Sequence, residues 1–169
     1  MSAYWVINPL NPALLALSCN RITQAKETAT AKDVPRLCNV LLDVDSHRRK
    51  GISATDAELG HALDLRDRIL QGEPKIRERS WGGVSGNGGY LIFRLPRPLP
   101  NTDASQAKIK AFLKALAAKY RSDHASLDVC TNDPARLACV GGSVKVKGDH
   151  LPSRPWRSVT VDHVGAFFR

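Results

Sequence analysis

The sequence predicts an α/β fold of the α+β kind, with a sheet flanked by helices, and three observations support this. Apolar, β-branched runs occur at 39–46 and 89–95, with shorter ones at 127–130, 143–148 and 158–161. Two stretches, 53–70 and about 104–121, repeat their apolar residues at helical spacing. Strands and helices mix without strict β-α-β alternation, which favours a sandwich over a doubly wound parallel sheet.

The first strand is NVLLDVDS, residues 39–46, apolar until its acids arrive, and a basic loop follows from His47 to Gly51. In the helix over 53–70, Thr55 and Glu58 have capping-box spacing, and Leu59, Ala62, Leu63, Arg66, Ile69 and Leu70 keep a helical period. Residues 71–87 are polar and Gly-rich and read as a loop. The strand GYLIFRL, 89–95, should stop where Pro96, Pro98 and Pro100 begin. The second helix sets Ile109, Phe112, Leu113, Leu116 and Tyr120 on one face and lysines on the other.

Length and composition bound the rest. A chain of 169 residues with 43% apolar content fits one domain with a real core, spanning 1–169. The N-terminal stretch has no basic region ahead of its apolar residues and is interrupted by prolines, which argues against a signal peptide and predicts a cytoplasmic location without a membrane partner. Cys19, Cys38, Cys130 and Cys139 form no CxxC pair, so they read as buried small hydrophobes in a reducing compartment. The net charge of +9 favours a polyanionic partner, because each neutralised phosphate releases a counterion.

Asp43 and Asp45 are the most informative residues. Side chains at i and i+2 of a strand share a face roughly 6–7 Å apart, a spacing from which two carboxylates can converge on a divalent metal pair. A strand end whose acids meet solvent or cap a helix is the alternative. Asp128, opening the strand-like LDVC, is a third candidate; Asp133 and Asp149 compete with it from turn-like sequence. The glycine loop Ser85-Gly86-Asn87-Gly88-Gly89 either cradles an anion with its backbone N–H groups or simply turns a hairpin. Lys145 and Lys147 alternate with valines and leave one strand face, with Arg154 and Arg157 close behind; they suit a triphosphate or form a solvated charged face.

Taken in order, Asn20-Arg21, Thr30 with Asp33, LLDVDSHRRKGISATDAE, SGNGGYLIFRL, LDVCTNDPARL, GGSVKVKG and RPWRS resemble the archaeo-eukaryotic primase superfamily. The likeness is to the primase-polymerase domains of phages, plasmids and integrated elements, and it runs from about Trp5 to Val161. It implies a catalytic core with a mixed or antiparallel RRM-like sheet flanked by helices. It also implies a template-directed nucleotidyltransferase that uses two Mg²⁺ or Mn²⁺ ions on nucleoside triphosphates, with no organic cofactor. The metal ligands and catalytic acids would be Asp43, Asp45 and Asp128. Arg21, Ser85, Gly86, Asn87, Gly88, Tyr90, Lys147, Arg154 and Arg157 would bind nucleotide. Single-stranded DNA template would lie along Arg48, Arg49, Lys50 and the lysine-bearing helix, with Trp81 or Trp156 stacking on bases, and a replicative helicase would be a partner.

Two positions depart from the family pattern. Tyr90 stands where the family has a phosphate-contacting His, and Trp156 stands at a second His. Tyr donates one hydrogen bond but carries no positive charge at neutral pH, which predicts a reduced activity. The alternative is a weak or inactive primase-like module that binds nucleotide or single strands. A metal-dependent nuclease or rolling-circle initiator would need clustered histidines or a nucleophilic tyrosine, for which Tyr90 is the candidate.

Overall fold

A computed structural model of the chain describes residues 2–16, 22, 24 and 28–168, apart from the Leu15 side chain. After strand β1 (Tyr4–Val6) come strand β2 (Arg36–Ser46), helix α1 (Asp56–Gly72) and helix α2 (Pro74–Arg79). Strands β3 (Ser80–Val84) and β4 (Gly88–Pro100), helix α3 (Asp103–Lys119) and strand β5 (Ala125–Leu127) follow. Strands β6 (Leu137–Cys139), β7 (Val144–Lys145), β8 (Arg157–Ser158) and β9 (His163–Val164) complete the order.

The central sheet has the strand order β5-β2-β4-β3-β9, and every neighbouring pair is antiparallel. With α1 between β2 and β3 and α3 between β4 and β5, this is a split β-α-β arrangement. The expected α+β class, an antiparallel sheet flanked by helices, is what the chain forms.

One sheet face presents Val40, Leu42 and Val44 of β2 with Leu91 and Phe93 of β4, all buried against Ala62, Leu65 and Ile69 of α1 and Ile109, Leu113 and Leu116 of α3. Burying each such Leu or Ile contributes roughly 1.5–3 kcal/mol, which holds both helices on that face. The opposite face carries Leu41, Tyr90 and Ile92, covered by Ile7, Ala138 and Val159 with Trp5 and Trp81 beside them. Here the antiparallel ribbon of β1 and β6 lies over the sheet.

Local signals explain the helix starts. Thr55 Oγ1 accepts from the Glu58 N–H while Glu58 Oε2 accepts from the Thr55 N–H, the expected capping box. Thr102 caps α3 by accepting from the Ser105 N–H. At the bulge in β2 between Leu37 and Asn39, both Cys38 N and Asn39 N donate to the buried Asn8 Oδ1 at 2.8 Å.

Several expected boundaries change. The predicted loop 71–87 contains α2 and β3: Pro74 starts a short helix, and β3 escapes pattern reading because Gly82 and Gly83 interrupt its alternation. Strand β4 runs on through Pro96, Pro98 and Pro100. Past Phe93 it has lost β3 as a neighbour, so on that side a proline's missing N–H forfeits no ladder bond. The strand expected at 127–130 ends at Leu127, because Asp128 Oδ1 accepts from Cys130 N (2.8 Å) and turns the chain. The strands expected at 143–148 and 158–161 shrink to β7 and β8. Strands β1, β6 and β9 were not expected. Of the cysteines, Cys38 is buried, Cys139 is half-buried and Cys130 is exposed, which corrects the all-buried expectation; Cys19 lies outside the described residues.

Candidate functional site

Strand β2 delivers the acids. Its alternation sends Leu42 and Val44 into the helical core, so Asp43 and Asp45 leave by the opposite face. Strand β5 pairs with β2 so that Val44 faces Leu127, and the next bond, from Asp128 N to Asp43 O (2.8 Å), sets Asp128 directly across from Asp43. Residues opposite one another in an antiparallel pair share a face. On the other side of β2, Tyr90 lies opposite Asp43 and Gly88 opposite Asp45.

These residues border a cleft of about 290 Å³ on the face away from α1 and α3. Asp43, Asp45, Arg48, Ser85, Asn87 and Tyr90 line it, with Lys145 and Lys147 on one wall. Arg136 and residues 137–139 close it together with Tyr4. Asp128 is not part of this lining and joins the site through Arg136, whose Nη2 is 3.4 Å from Asp128 Oδ2 and 3.9 Å from Asp43 Oδ2.

Asp43 is energetically costly where it stands. Its carboxyl is raised from 3.8 to about 6, first because the protein removes it from water, then because Asp45 adds negative charge; Arg136 opposes this, and Asp128 adds to it. Asp45 is paired with Arg48 at 3.1 Å. The Arg48 side chain is only 5% exposed and also reaches Ser46 Oγ, the Ile52 carbonyl and the Asn87 carbonyl, so it pins the 47–52 loop to the acids. It is therefore turned inward, while Arg49 and Lys50 stay exposed.

The glycine turn joins β3 to β4 beside the acids. Ser85 closes it, its N–H and Oγ both donating to the Gly88 carbonyl (2.8 and 3.2 Å). Gly86 has φ +93°, a conformation that glycine adopts without strain, and a side chain there would meet Lys145. Gly88 lies so close to β2 that a Cβ would collide with the Val44 carbonyl oxygen and stand 2.9 Å from Asp45 Oδ1. Asn87 Oδ1 accepts from Ala54 N (2.8 Å), but its Nδ2 is buried without a partner. The Tyr90 hydroxyl is likewise buried and unpartnered, and burial raises its pKa further, so it remains a neutral donor. Burial works against the Lys145 ammonium, but bonds to the Tyr4 hydroxyl (3.0 Å) and Cys139 Sγ (3.4 Å) outweigh it and raise its pKa.

The structure thus brings Asp43, Asp45, Arg48, Ser85, Asn87, Tyr90 and Lys147 to one cleft and seats Gly86 and Gly88 in its turn. It does not bring Arg154 and Arg157 there. Arg154 forms a two-point pair with Glu58 (2.8 and 3.1 Å), and Arg157 donates to Asp56 Oδ1 and the Ala54 carbonyl, so both fasten the 53–58 segment. Arg21 lies outside the described residues. The lysines of α3 belong to the helix layer on the far face of the sheet, away from the cleft. Trp81 packs between Trp5 and Tyr90, while Trp156 is 39% exposed. Arg136, Cys139 and Tyr4 were missed as site residues; for Arg136 the available signal was its place in NDPARL, eight residues after Asp128.

Among the described residues, no group of three or more His, Cys, Asp or Glu side chains converges closely enough to hold a metal ion as it stands. The chemistry of the donor set, carboxylate oxygen only, still suits a hard divalent cation, and Asp45 and Asp128 add negative charge beside a carboxyl already raised by burial. Compared with known proteins, the chain matches no family model, no curated protein and no solved structure.

Proposed function

We propose that the chain is a template-directed nucleotidyltransferase of the primase-polymerase type. The observation that carries this reading is the placement of Asp43 and Asp45 on one sheet face, with Asp128 across from Asp43 just past the end of β5, beside a turn whose Asn87 Nδ2 is unpaired. Asp43 and Asp45, with Asp128, would hold Mg²⁺ or Mn²⁺. Such ions, when bound, neutralise charge on phosphoryl oxygens and the attacking hydroxyl.

The protein's own groups supply the rest. Asn87 Nδ2 and the Lys147 ammonium offer donors to phosphate oxygens, and Lys145 adds fixed positive charge. The Tyr90 hydroxyl donates a single neutral hydrogen bond, weaker toward an anion than an imidazolium would be. Arg48 holds Asp45 and the 47–52 loop in place, and Arg154 and Arg157 hold the start of α1 against the β7–β8 segment. Exposed Arg49 and Lys50 flank the acids and suit a template backbone.

The test is nucleotide incorporation on a single-stranded template with Mn²⁺. Wild-type protein should extend or start a chain, and the Asp43→Ala/Asp45→Ala variant should not while keeping its circular dichroism. Full activity in that variant discards the assignment. A second reading, a module that binds nucleotide or single strands without chemistry, is favoured by Arg136 bridging two of the acids and by Tyr90 at the position of the family's His. Nucleotide binding without product would select it.

A further inference from the structure

The three acids are neutralised in two different ways. Asp45 is paired with Arg48, which is almost fully buried and tied to several loop groups. Asp43 and Asp128 share Arg136, which is 31% exposed and whose side chain forms ion pairs or hydrogen bonds with only those two carboxylates among the described residues. Its guanidinium occupies the space beside both carboxylates, so a divalent cation arriving there meets a like charge at short range. On the same cleft, Asn87 Nδ2 lacks a partner and Lys147 stands on the wall, so a polyanion entering it would find donors already waiting.

Building on the reading above, we infer that Arg136 is a tethered counter-cation for Asp43 and Asp128 that has to leave before a divalent cation binds, and that an entering polyphosphate draws it away. Planar guanidinium pairs well with phosphate oxygens, so the group has a second partner to go to. Cation and polyphosphate then help each other bind, because each removes a cost that the other would face alone; such coupling is reciprocal. Arg136 is a positioning residue here, acting through charge on the acids.

Calorimetry of the full chain tests this in two separate titrations, Mn²⁺ alone and inorganic triphosphate in the presence of a chelator. Removing the tethered charge in Arg136→Gln should tighten Mn²⁺ binding about tenfold, a discounted value for a partly exposed pair. Arg136→Lys, which keeps the charge, should stay within about threefold of wild type, and metal-free triphosphate should bind the Gln variant roughly threefold or more weakly. The inference is overturned if Arg136→Gln binds Mn²⁺ no tighter than wild type, or if the Lys variant gains as much as the Gln variant. The Asp43→Asn/Asp45→Asn protein separates the two levels. If it has lost Mn²⁺ binding, such a failure falls on the role of Arg136 alone; if it binds Mn²⁺ like wild type, the acids are no metal site and the proposed function falls too.

Discussion

Replacing Asp43 with Asn should stabilise the protein at neutral pH, which is unusual for a residue at the centre of a site. The folded carboxyl titrates at about 6 against 3.8 in a free chain. Because the folded value is raised, the carboxyl is protonated in both states below pH 3.8 and contributes nothing there. Between 3.8 and about 6 the unfolded chain ionises first, so Asp43 subtracts stability as pH rises, and above that the full loss is present. Two pKa units correspond to about 3 kcal/mol. With a quarter of the side chain exposed, solvent screening reduces this. A gain of about 1–3 kcal/mol for Asp43→Asn at pH 8, or roughly 3–10 °C in Tm, is the expected range. Asn keeps the shape and removes the charge, so packing changes little. Urea denaturation followed by tryptophan fluorescence at pH 8 and pH 4 measures both limits, and at pH 4 the gain should shrink below about 1 kcal/mol. An Asn variant that is less stable at pH 8, or stabilised equally at both pH values, refutes the idea that ionised Asp43 is held at the expense of the fold.

Three other substitutions probe the frame around the cleft. Gly88→Ala drives a Cβ into the Val44 carbonyl and toward Asp45, and should cost about 1–3 kcal/mol in denaturant melts while weakening Mn²⁺ binding. Asn8→Ala strands the amides of Cys38 and Asn39 at the β2 bulge and should cost about 2–3 kcal/mol, with faster hydrogen exchange confined to those two amides and their neighbours. Glu58→Gln removes the charged partner of Arg154 and should lower stability by about 1 kcal/mol, with faster proteolysis of the segment around Arg154. The Glu58 carboxyl is lowered from 4.5 chiefly by its hydrogen bond from Arg154, so this contribution is present above pH 4.5 and fades as pH falls through the lowered value; a wild-type-minus-variant difference that grew on acidification would contradict it.

Short-range rules made the acids and the helices legible in the sequence. The alternation LLDVD placed Asp43 and Asp45 on one face because strand periodicity is a property of the backbone alone, and Thr55 with Glu58 marked the start of α1 because a capping box closes within one turn. Lys145 and Lys147 both line the cleft, but β7 ends at Lys145, so strand alternation does not account for Lys147. Strand β3 stayed hidden because its two glycines carry no pattern, and β4 outran its prolines because only the pairing shows which edge is free. What tertiary structure alone decided is which distant groups meet. Pairing of β5 with β2 put Asp128 opposite Asp43, 85 positions apart in the chain, and the following turn brought Arg136 to both. Arg154 and Arg157 show the reverse: their sequence suits a phosphate, yet Glu58 and Asp56 sit closer and take their charge. A side chain's type is written locally, but its partner is chosen by whichever opposite charge the packed strands and helices leave within reach.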